Sequence, residues 1–533
     1  MIIRSTSPDV VIPEVSVTEY VLRHAERLDR KPAIIDGPSG RTLTYGQLAN
    51  GTRRVATGLA RRGFGKGDVF AIYSPNLPEY AVIFNAVASL GGINTTVNPL
   101  YTAGELANQL KDCGARFLIT VPPFLDKAKE AAAKTRVEDV YVFGTADGAR
   151  PFSELLDAPP SPPSVRINPR EDVVVLPYSS GTTGLPKGVM LTHYNLVANL
   201  RQCEGMQNWE CFGERDIVIA VLPFFHIYGM VVIMKLGLAN GATIVSLPRF
   251  DMQEFLSVIQ TYRVTVAPIV PPIVLGLVKH PAVSQFDLSS VRLVFSGAAP
   301  LGEEMARELS RRLGCPVVQG YGMTEASPVT HLSPTRNAPV KPGSIGLVIP
   351  NTEVTIVDVA TGAEVGKGRE GELLIRGPQI MKGYLNRPED TEASIDADGW
   401  YHTGDVGRVD DESWFYIVDR TKELIKYKGL QVAPAELEAV LLTHPAVLDA
   451  AVIRKADEEA GEVPKAFVVL KLDETSRMTK ADAIMAFVAE RVAPHKRIRY
   501  LEFTEQIPKS ASGKILRRLL VQMEREREAQ ISR

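Results

Sequence analysis

Residues 178–189 read YSSGTTGLPKGV, with four small hydroxyl side chains, three glycines, a proline and one lysine. Glycines leave backbone N–H groups open to a ligand, hydroxyls donate, and the lysine brings charge. That combination suits a grip on polyphosphate. It is not a Walker loop, which needs GxxxxGK followed by Ser or Thr between a strand and a helix. Here Pro186 stands five residues after Gly181, and Lys187 is followed by Gly188. The flanks VVVL (173–176) and VML (189–191) both read as strands, so the loop closes a hairpin with no helix dipole behind it.

Further chemistry-bearing stretches follow in order. QGYGMTE (319–325) sets Glu325 just after a glycine-rich turn, where a carboxylate suits Mg²⁺ beside phosphate. YHTGD (401–405) ends in Asp405. At a turn that carboxylate can accept both hydroxyls of a ribose, or simply cap the turn. DRTKELIKYKGLQVAPAE (419–436) gathers Arg420, Lys422, Lys426 and Lys428 around Gly429, and PKSASGKILRR (508–518) sets Lys514 ahead of a basic helix. Taken singly, each of these basic runs reads equally well as a solvated surface. No Ser-His-Asp or Cys-His arrangement stands out.

The elements that must hold these residues are legible in outline. A chain of 533 residues exceeds one ordinary core, so several domains are expected. Lys+Arg at 60 against Asp+Glu at 62 gives no electrostatic reason to expect nucleic acid or an anionic membrane. The four cysteines, Cys113, Cys203, Cys211 and Cys315, show no metal-ligand spacing, which argues for a reducing compartment. The first residues lack the apolar run of a secretory signal, so a cytoplasmic location is expected. The uncharged run 217–234 is long enough to span a bilayer. Pro223, His226 and Gly229 break it, so strand, turn and buried helix is the better reading.

Helical spacing over 46–63 alternates with strands at 69–75 and 117–121, as in an α/β layered fold with a largely parallel sheet. APPSPPSV (158–165) reads as a loop. After Gly343, short strands such as TEVTIVD, GELLIRG and WFYIVD imply a β-rich unit over 341–418. The remainder reads as a compact α+β unit. A helix opens at Pro434, Thr479 with Asp482 caps another, and the tail REREAQISR frays.

Taken together, the motifs resemble the adenylate-forming superfamily of acyl-CoA synthetases, luciferases and peptide-synthetase adenylation domains. The likeness runs from LTYGQL (43–48) to ILRR (515–518). FFHIYG (224–229), SGAAPLG (296–302), QGYGMTEASP (319–328) and ELIKYKGLQVAPAELE (423–438) place it nearest the 4-coumarate/cinnamate–CoA ligase branch. The resemblance implies an N-terminal adenylation domain over 1–421, made of α/β subdomains at about 1–170 and 171–340 plus the β-rich unit. A small mobile C-terminal domain would follow over 422–533, hinged at Lys422. It also implies ATP, Mg²⁺ and coenzyme A acting on a small carboxylic acid, in a monomer or weak homodimer with no membrane span.

By the same resemblance, Ser179, Ser180, Gly181, Thr182, Thr183 and Lys187 hold the β- and γ-phosphates. Thr324 reaches the α-phosphate and Glu325 the Mg²⁺. Asp405 and Arg420 take the ribose, while Gln319, Gly320 and Tyr321 line the adenine and acyl sites. Lys514 bridges the α-phosphate and the incoming carboxylate. His226 sits beside that carboxylate, against the plain alternative of a satisfied core histidine. In the second step the C-terminal unit swings, Lys514 leaves, and Lys426 and Gln431 come to the adenylate. Lys428 and Gly429 then face coenzyme A. Arg249 matches a position that touches coenzyme A phosphates, where lysine is the expected residue.

The acyl pocket would be lined by Tyr228, Val232, Ala298, Gly320, Gly322, Pro328 and Val329. Plant coumarate ligases carry serine where Val232 stands here, to hold the ring's 4-hydroxyl. Its loss points towards cinnamate, with 4-coumarate and other aryl-propenoates tolerated. The alternatives are a medium- or long-chain fatty acyl-CoA synthetase, a luciferase-like oxygenase, a non-catalytic nucleotide-binding module and a carrier-protein adenylation domain. Lys514, Glu325 and Asp405 speak against the non-catalytic module.

Overall fold

The computed structural model describes residues 1–179, 186–210, 212–336, 340–428, 430–457, 459–471, 480–511 and 513–531. Ser180, Gly181, Thr182, Thr183, Cys211, Gly429 and Thr479 lie outside the described residues. Four sheets organise the chain, two of them large, mixed and predominantly parallel. Central strands of these two, such as Val69–Tyr73, Val266–Ile269 and Leu293–Ser296, are apolar runs with every side chain buried, as expected when helices cover both faces of a parallel sheet.

The first large sheet runs in the spatial order Gly383–Tyr384, Lys187–Thr192, Val173–Ser179, Ile93–Val97, Val69–Tyr73, Ala115–Thr120, Asp139–Val142, Arg150–Pro151. The second has Val317–Gly322, Leu293–Ser296, Val266–Ile269, Ile217–Ala220, Thr243–Ser246 and Pro32–Asp36 in parallel, with antiparallel strands added at both edges. Sheet membership does not divide at residue 170. Pro32–Asp36 pairs in the second sheet, and Val173–Thr192 pairs in the first. The helix Glu79–Ser89 is apolar on all sides and buried along nearly its whole length, and the largest core runs continuously around it.

The β-rich unit is a five-stranded antiparallel sheet that also recruits Ile3–Arg4 from the chain start, a pairing that nothing in the sequence signalled. The last sheet joins Leu430–Val432, Ile425–Tyr427, Gly461–Leu470 and Val447–Asp457, with Tyr500–Phe503 alongside. It packs under the helices Pro434–Thr443 and Ala481–Ala489.

The uncharged run 217–234 is a strand, a turn and a helix, as expected, but the helix Tyr228–Lys235 is of π type. Such helices recur at functional sites. Among the described residues no helix is long and apolar enough to cross a membrane. The helix Ala481–Ala489 starts from Lys480, whose side chain makes no capping bond, and the expected cap at Thr479 lies outside the described residues. The final helix runs Arg517–Ile531, beyond the point where fraying was expected.

Candidate active site

The strands that flank residues 180–185 pair antiparallel, as expected from sequence: Ser179 and Lys187 are register partners on Val173–Ser179 and Lys187–Thr192. Lys187 Nζ donates to Asp390 Oδ1 at 2.5 Å and lies 5.1 Å from the Tyr384 ring centroid. The Tyr384 hydroxyl donates to Glu325 Oε1 at 3.0 Å. Glu325, Tyr384, Lys187 and Asp390 therefore form one connected wall beside the hairpin. Glu325 is buried and does not follow a turn. QGYG lies in the strand Val317–Gly322, paired with Val329–Leu332, and Thr324 opens a single 3₁₀ turn that carries the carboxylate.

Asp405 likewise lies within a strand, Tyr401–Val409, and not at a turn. Its backbone partner across the sheet is Arg420. Arg420 Nε stands 3.1 Å from Asp405 Oδ1, and the Tyr321 hydroxyl donates to Oδ2 at 2.5 Å. A buried carboxylate held from two sides is fixed in orientation, as a diol acceptor must be. Burial, then the charge of Asp405, pushes the Tyr321 hydroxyl well above its ordinary value, so it remains a donor. Gln319 is buried and exchanges two hydrogen bonds with the Leu301 backbone, which pins the 298–301 loop beside the site.

Two of the expected acyl residues, Tyr228 and Gly320, meet at Phe295, which sequence reasoning did not single out. Phe295 makes an edge contact with the Tyr228 ring at 6.0 Å between centroids, and its carbonyl accepts from the Tyr228 hydroxyl at 3.1 Å. A Cβ on Gly320 would stand 2.5 Å from Phe295 Cζ, and one on Gly322 would stand 2.2 Å from the Pro328 carbonyl oxygen. Both glycines are thus required by close packing. Ala298 holds a left-handed backbone at φ +68°, a strained conformation for alanine, on the exposed side of the same loop. Val232 is buried four residues after Tyr228 on the π helix. Asn199 clasps Val329 by both its N–H and its C=O.

Lys514 reaches this site from the C-terminal unit. Its loop is tight: Ser510 N–H donates to the Lys514 carbonyl at 2.8 Å, and Lys514 N–H donates to Ser510 Oγ at 3.1 Å. Gly513, at φ +80°, presses on Val270 and Pro272 of the large body, where a Cβ would meet Pro272 Cγ at 3.1 Å. Burial first, then the charge of Arg420, pulls the Lys514 ammonium down to about 8, with Asp405 and Glu423 pulling the other way. His226 is held to about 4 by burial and by the charge of Lys514, so it is neutral at pH 7. Its Nδ1 accepts from Tyr228 N–H at 3.3 Å, which assigns the proton to Nε2 and leaves a donor for an acid.

The residues expected to serve the second step are not at this site. Arg249, Lys426, Lys428 and Gln431 are solvent-exposed, and so is Lys422. Lys426 and Gln431 are register partners on the hairpin whose Lys428 pairs with Glu459. Among the described residues no cluster of three His, Cys, Asp or Glu side chains could hold a metal ion by itself. Buried Glu325, a lone carboxylate bonded by Tyr384, fits an Mg²⁺ that arrives with a nucleotide, since Mg²⁺ is usually held by one or two carboxylates plus substrate phosphates.

Fold and site define an α/β enzyme whose C-terminal unit closes over Asp405 and Arg420 and brings Lys514 to them. Residues 21–385 match the model for AMP-binding enzymes, and 436–514 match that for the AMP-binding enzyme C-terminal domain. The chain belongs to the AMP-binding enzyme family. It is 45% identical to 4-coumarate–CoA ligase 3 of Oryza sativa subsp. japonica, over 97% of this chain and 94% of that one. It is also 45% identical to a 4-coumarate–CoA ligase of Pinus taeda, over 97% and 96%. Among solved structures, an anthranilate CoA ligase in complex with anthranoyl-AMP superposes with a TM-score of 0.88 at 27% identity, covering 96% of this chain and 97% of that one. A benzoate CoA ligase from Burkholderia xenovorans gives 0.84 at 27% identity, covering 95% and 99%.

Proposed function

We propose that the protein ligates coenzyme A to a hydroxycinnamate-type acid, cinnamate or 4-coumarate, through an acyl-adenylate. The single observation that carries this reading is Lys514 brought into one site with His226, Asp405 and Arg420. The kinship with 4-coumarate–CoA ligases supports the choice of acid.

In the first step a carboxylate oxygen attacks the α-phosphorus, the bond to the β-phosphate oxygen breaks, and pyrophosphate leaves. The Lys514 ammonium lies between two anions and offsets their repulsion. Neutral His226 donates from Nε2 to the carboxylate without adding charge. Asp405 takes the ribose hydroxyls, and Lys187 exchanges Asp390 for phosphate. Glu325 would hold an Mg²⁺ bound with ATP, and the ion would offset phosphate charge there. In the second step the coenzyme A sulfur attacks the acyl carbon, AMP departs, and the thiol proton leaves to AMP or solvent. The C-terminal unit, 422–533, turns about Lys422 between the steps, exchanging Lys514 for Lys426, Lys428 and Gln431.

Thioester formation with ATP and Mg²⁺ tests this on cinnamate, 4-coumarate, caffeate, benzoate and octanoate. Turnover of aryl-propenoates is the expected result, and octanoate turned over with no cinnamates would overturn the acid assignment. Val232→Ser gives a ring 4-hydroxyl a partner. We expect kcat/KM for 4-coumarate relative to cinnamate to rise roughly fivefold, the worth of about 1 kcal/mol for one buried hydrogen bond. An unchanged ratio would place Val232 away from the ring's 4-position.

A further inference from the structure

The contacts that hold the C-terminal unit over the site include one built from a lysine of the large body. Lys279 ends the helix Pro271–Lys279, the same helix whose start receives Gly513. Its Nζ donates to the Leu442 carbonyl at 3.1 Å and to the Val447 carbonyl at 2.6 Å. Leu442 lies in the last turn of the helix Pro434–Thr443, so the cation meets the carbonyl end of that helix, where positive charge is favoured. Val447 opens the strand Val447–Asp457. Two residues along, Asp449 accepts from Lys509 Nζ at 2.5 Å, and Lys509 stands at the root of the Lys514 loop. Leu516 N–H donates to the Pro508 carbonyl at 2.9 Å and closes that loop. Burial, then the charge of Lys471, pulls the Lys279 ammonium down to about 8, while Glu308 and Asp449 act against them.

We infer that Lys279 is a positioning residue for the adenylation step. It holds the C-terminal unit in the orientation that presents Lys514, through two carbonyl contacts next to the strand that anchors the Lys514 loop. It touches no reacting atom. The inference rests on the function proposed above and deepens it by naming what keeps the first-step orientation.

The test separates docking from chemistry. A cysteine pair, Gly302→Cys with Ala439→Cys, reports docking directly, because a Cβ on Gly302 would stand 3.4 Å from the Ala439 Cβ, close to disulfide range. Adding Lys279→Ala should slow formation of that cross-link severalfold, and Lys279→Arg should restore much of it. An unchanged rate overturns the inference whatever acid the enzyme uses. In the kinetic arm, Lys279→Ala should slow single-turnover pyrophosphate release about tenfold, with KM for ATP and acid little altered. Thioester formation from prepared acyl-adenylate and coenzyme A should be as fast as in the unaltered enzyme, or faster. Adding Lys279→Ala to Lys514→Ala should bring no further loss. Equal losses in both half-reactions, or additive losses with Lys514→Ala, would make Lys279 a merely structural residue. Failure of every acid together with a slowed cross-link would leave the docking role standing and sink the acid–CoA reading.

Discussion

Lys514→Ala should lower the rate of acyl-adenylate formation about 10²- to 10³-fold, the scale found when one preorganised donor to developing charge is removed. Thioester formation from prepared acyl-adenylate should be nearly unaffected, because the proposed mechanism uses the Lys514 loop only in the first step. The pH profile carries a second signature. In the free enzyme the ammonium sits at about 8, lowered by burial and by Arg420. Only the protonated form offsets the charge of phosphate and carboxylate. The adenylation kcat/KM should therefore fall as pH rises through about 8. Bound ATP and acid add negative charge around Lys514 and raise its pKa, so the fall in kcat should move to higher pH. Lys514→Arg keeps the charge across that range and should flatten the alkaline fall, at a lower absolute rate because the guanidinium is planar and bulkier. Single-turnover pyrophosphate release across about pH 6 to 10 measures both effects. A Lys514→Ala variant with unimpaired adenylation, or an alkaline fall that persists in Lys514→Arg, would remove Lys514 from the chemistry.

What the sequence disclosed depended on how local the physics is. The hairpin at 173–192 was readable because strand, glycine-rich loop and strand are contiguous, and the structure pairs Lys187 with Ser179 as that reading requires. The helices at 45–61 and 434–443 were readable from spacing, caps and proline. Asp405 and Glu325 were found as chemistry but placed at turns. Glycines suggest turns locally, whereas Gly320 and Gly322 lie in a strand because Phe295 and the Pro328 carbonyl leave no room for a Cβ. The pairing of Ile3–Arg4 with Glu353–Val357 bridges about 350 residues and has no local signature. The same holds for Asp390 beside Lys187, Tyr384 beside Glu325, and Lys279 beneath Leu442 and Val447. Each joins side chains from distant segments, and only the assembled sheets bring them together. The π form of Tyr228–Lys235 is hidden for a different reason. An apolar run buried on all sides has no polar face from which a period can be read.

That same helix carries the second large effect, which concerns stability. Lys235 is fully buried, and its side-chain nitrogen has no hydrogen-bond partner among the described residues. It lies 3.5 Å from the Phe84 ring centroid, and burial pushes its pKa well below the ordinary lysine value. The ring offers this amine no full hydrogen-bond acceptor, so its polar end stays unsatisfied. Lys235→Met keeps the length of the chain and removes the polar end, so it should stabilise the fold by about 1–3 kcal/mol, the cost of an unsatisfied buried polar group. The sign of the pH dependence follows from the depressed folded-state value. Between that value and the unfolded value of about 10.4, the unfolded chain binds a proton that the folded chain lacks. The stability of the unaltered protein therefore rises with pH through this window, and the advantage of Lys235→Met shrinks as it does. Thermal unfolding of both proteins at about pH 7 and about pH 9.5 measures this. A higher melting temperature for Lys235→Met at the lower pH, with the gap narrowing at the higher, is the expected result. Val232 lies three residues earlier on the same helix, yet Lys235 packs on Phe84 in the core. Turnover of cinnamate should stay within about twofold, since substitutions clear of the reacting groups seldom alter transition-state binding. A less stable Lys235→Met would mean that a buried hydrogen bond, not an orphaned amine, holds this lysine in the core.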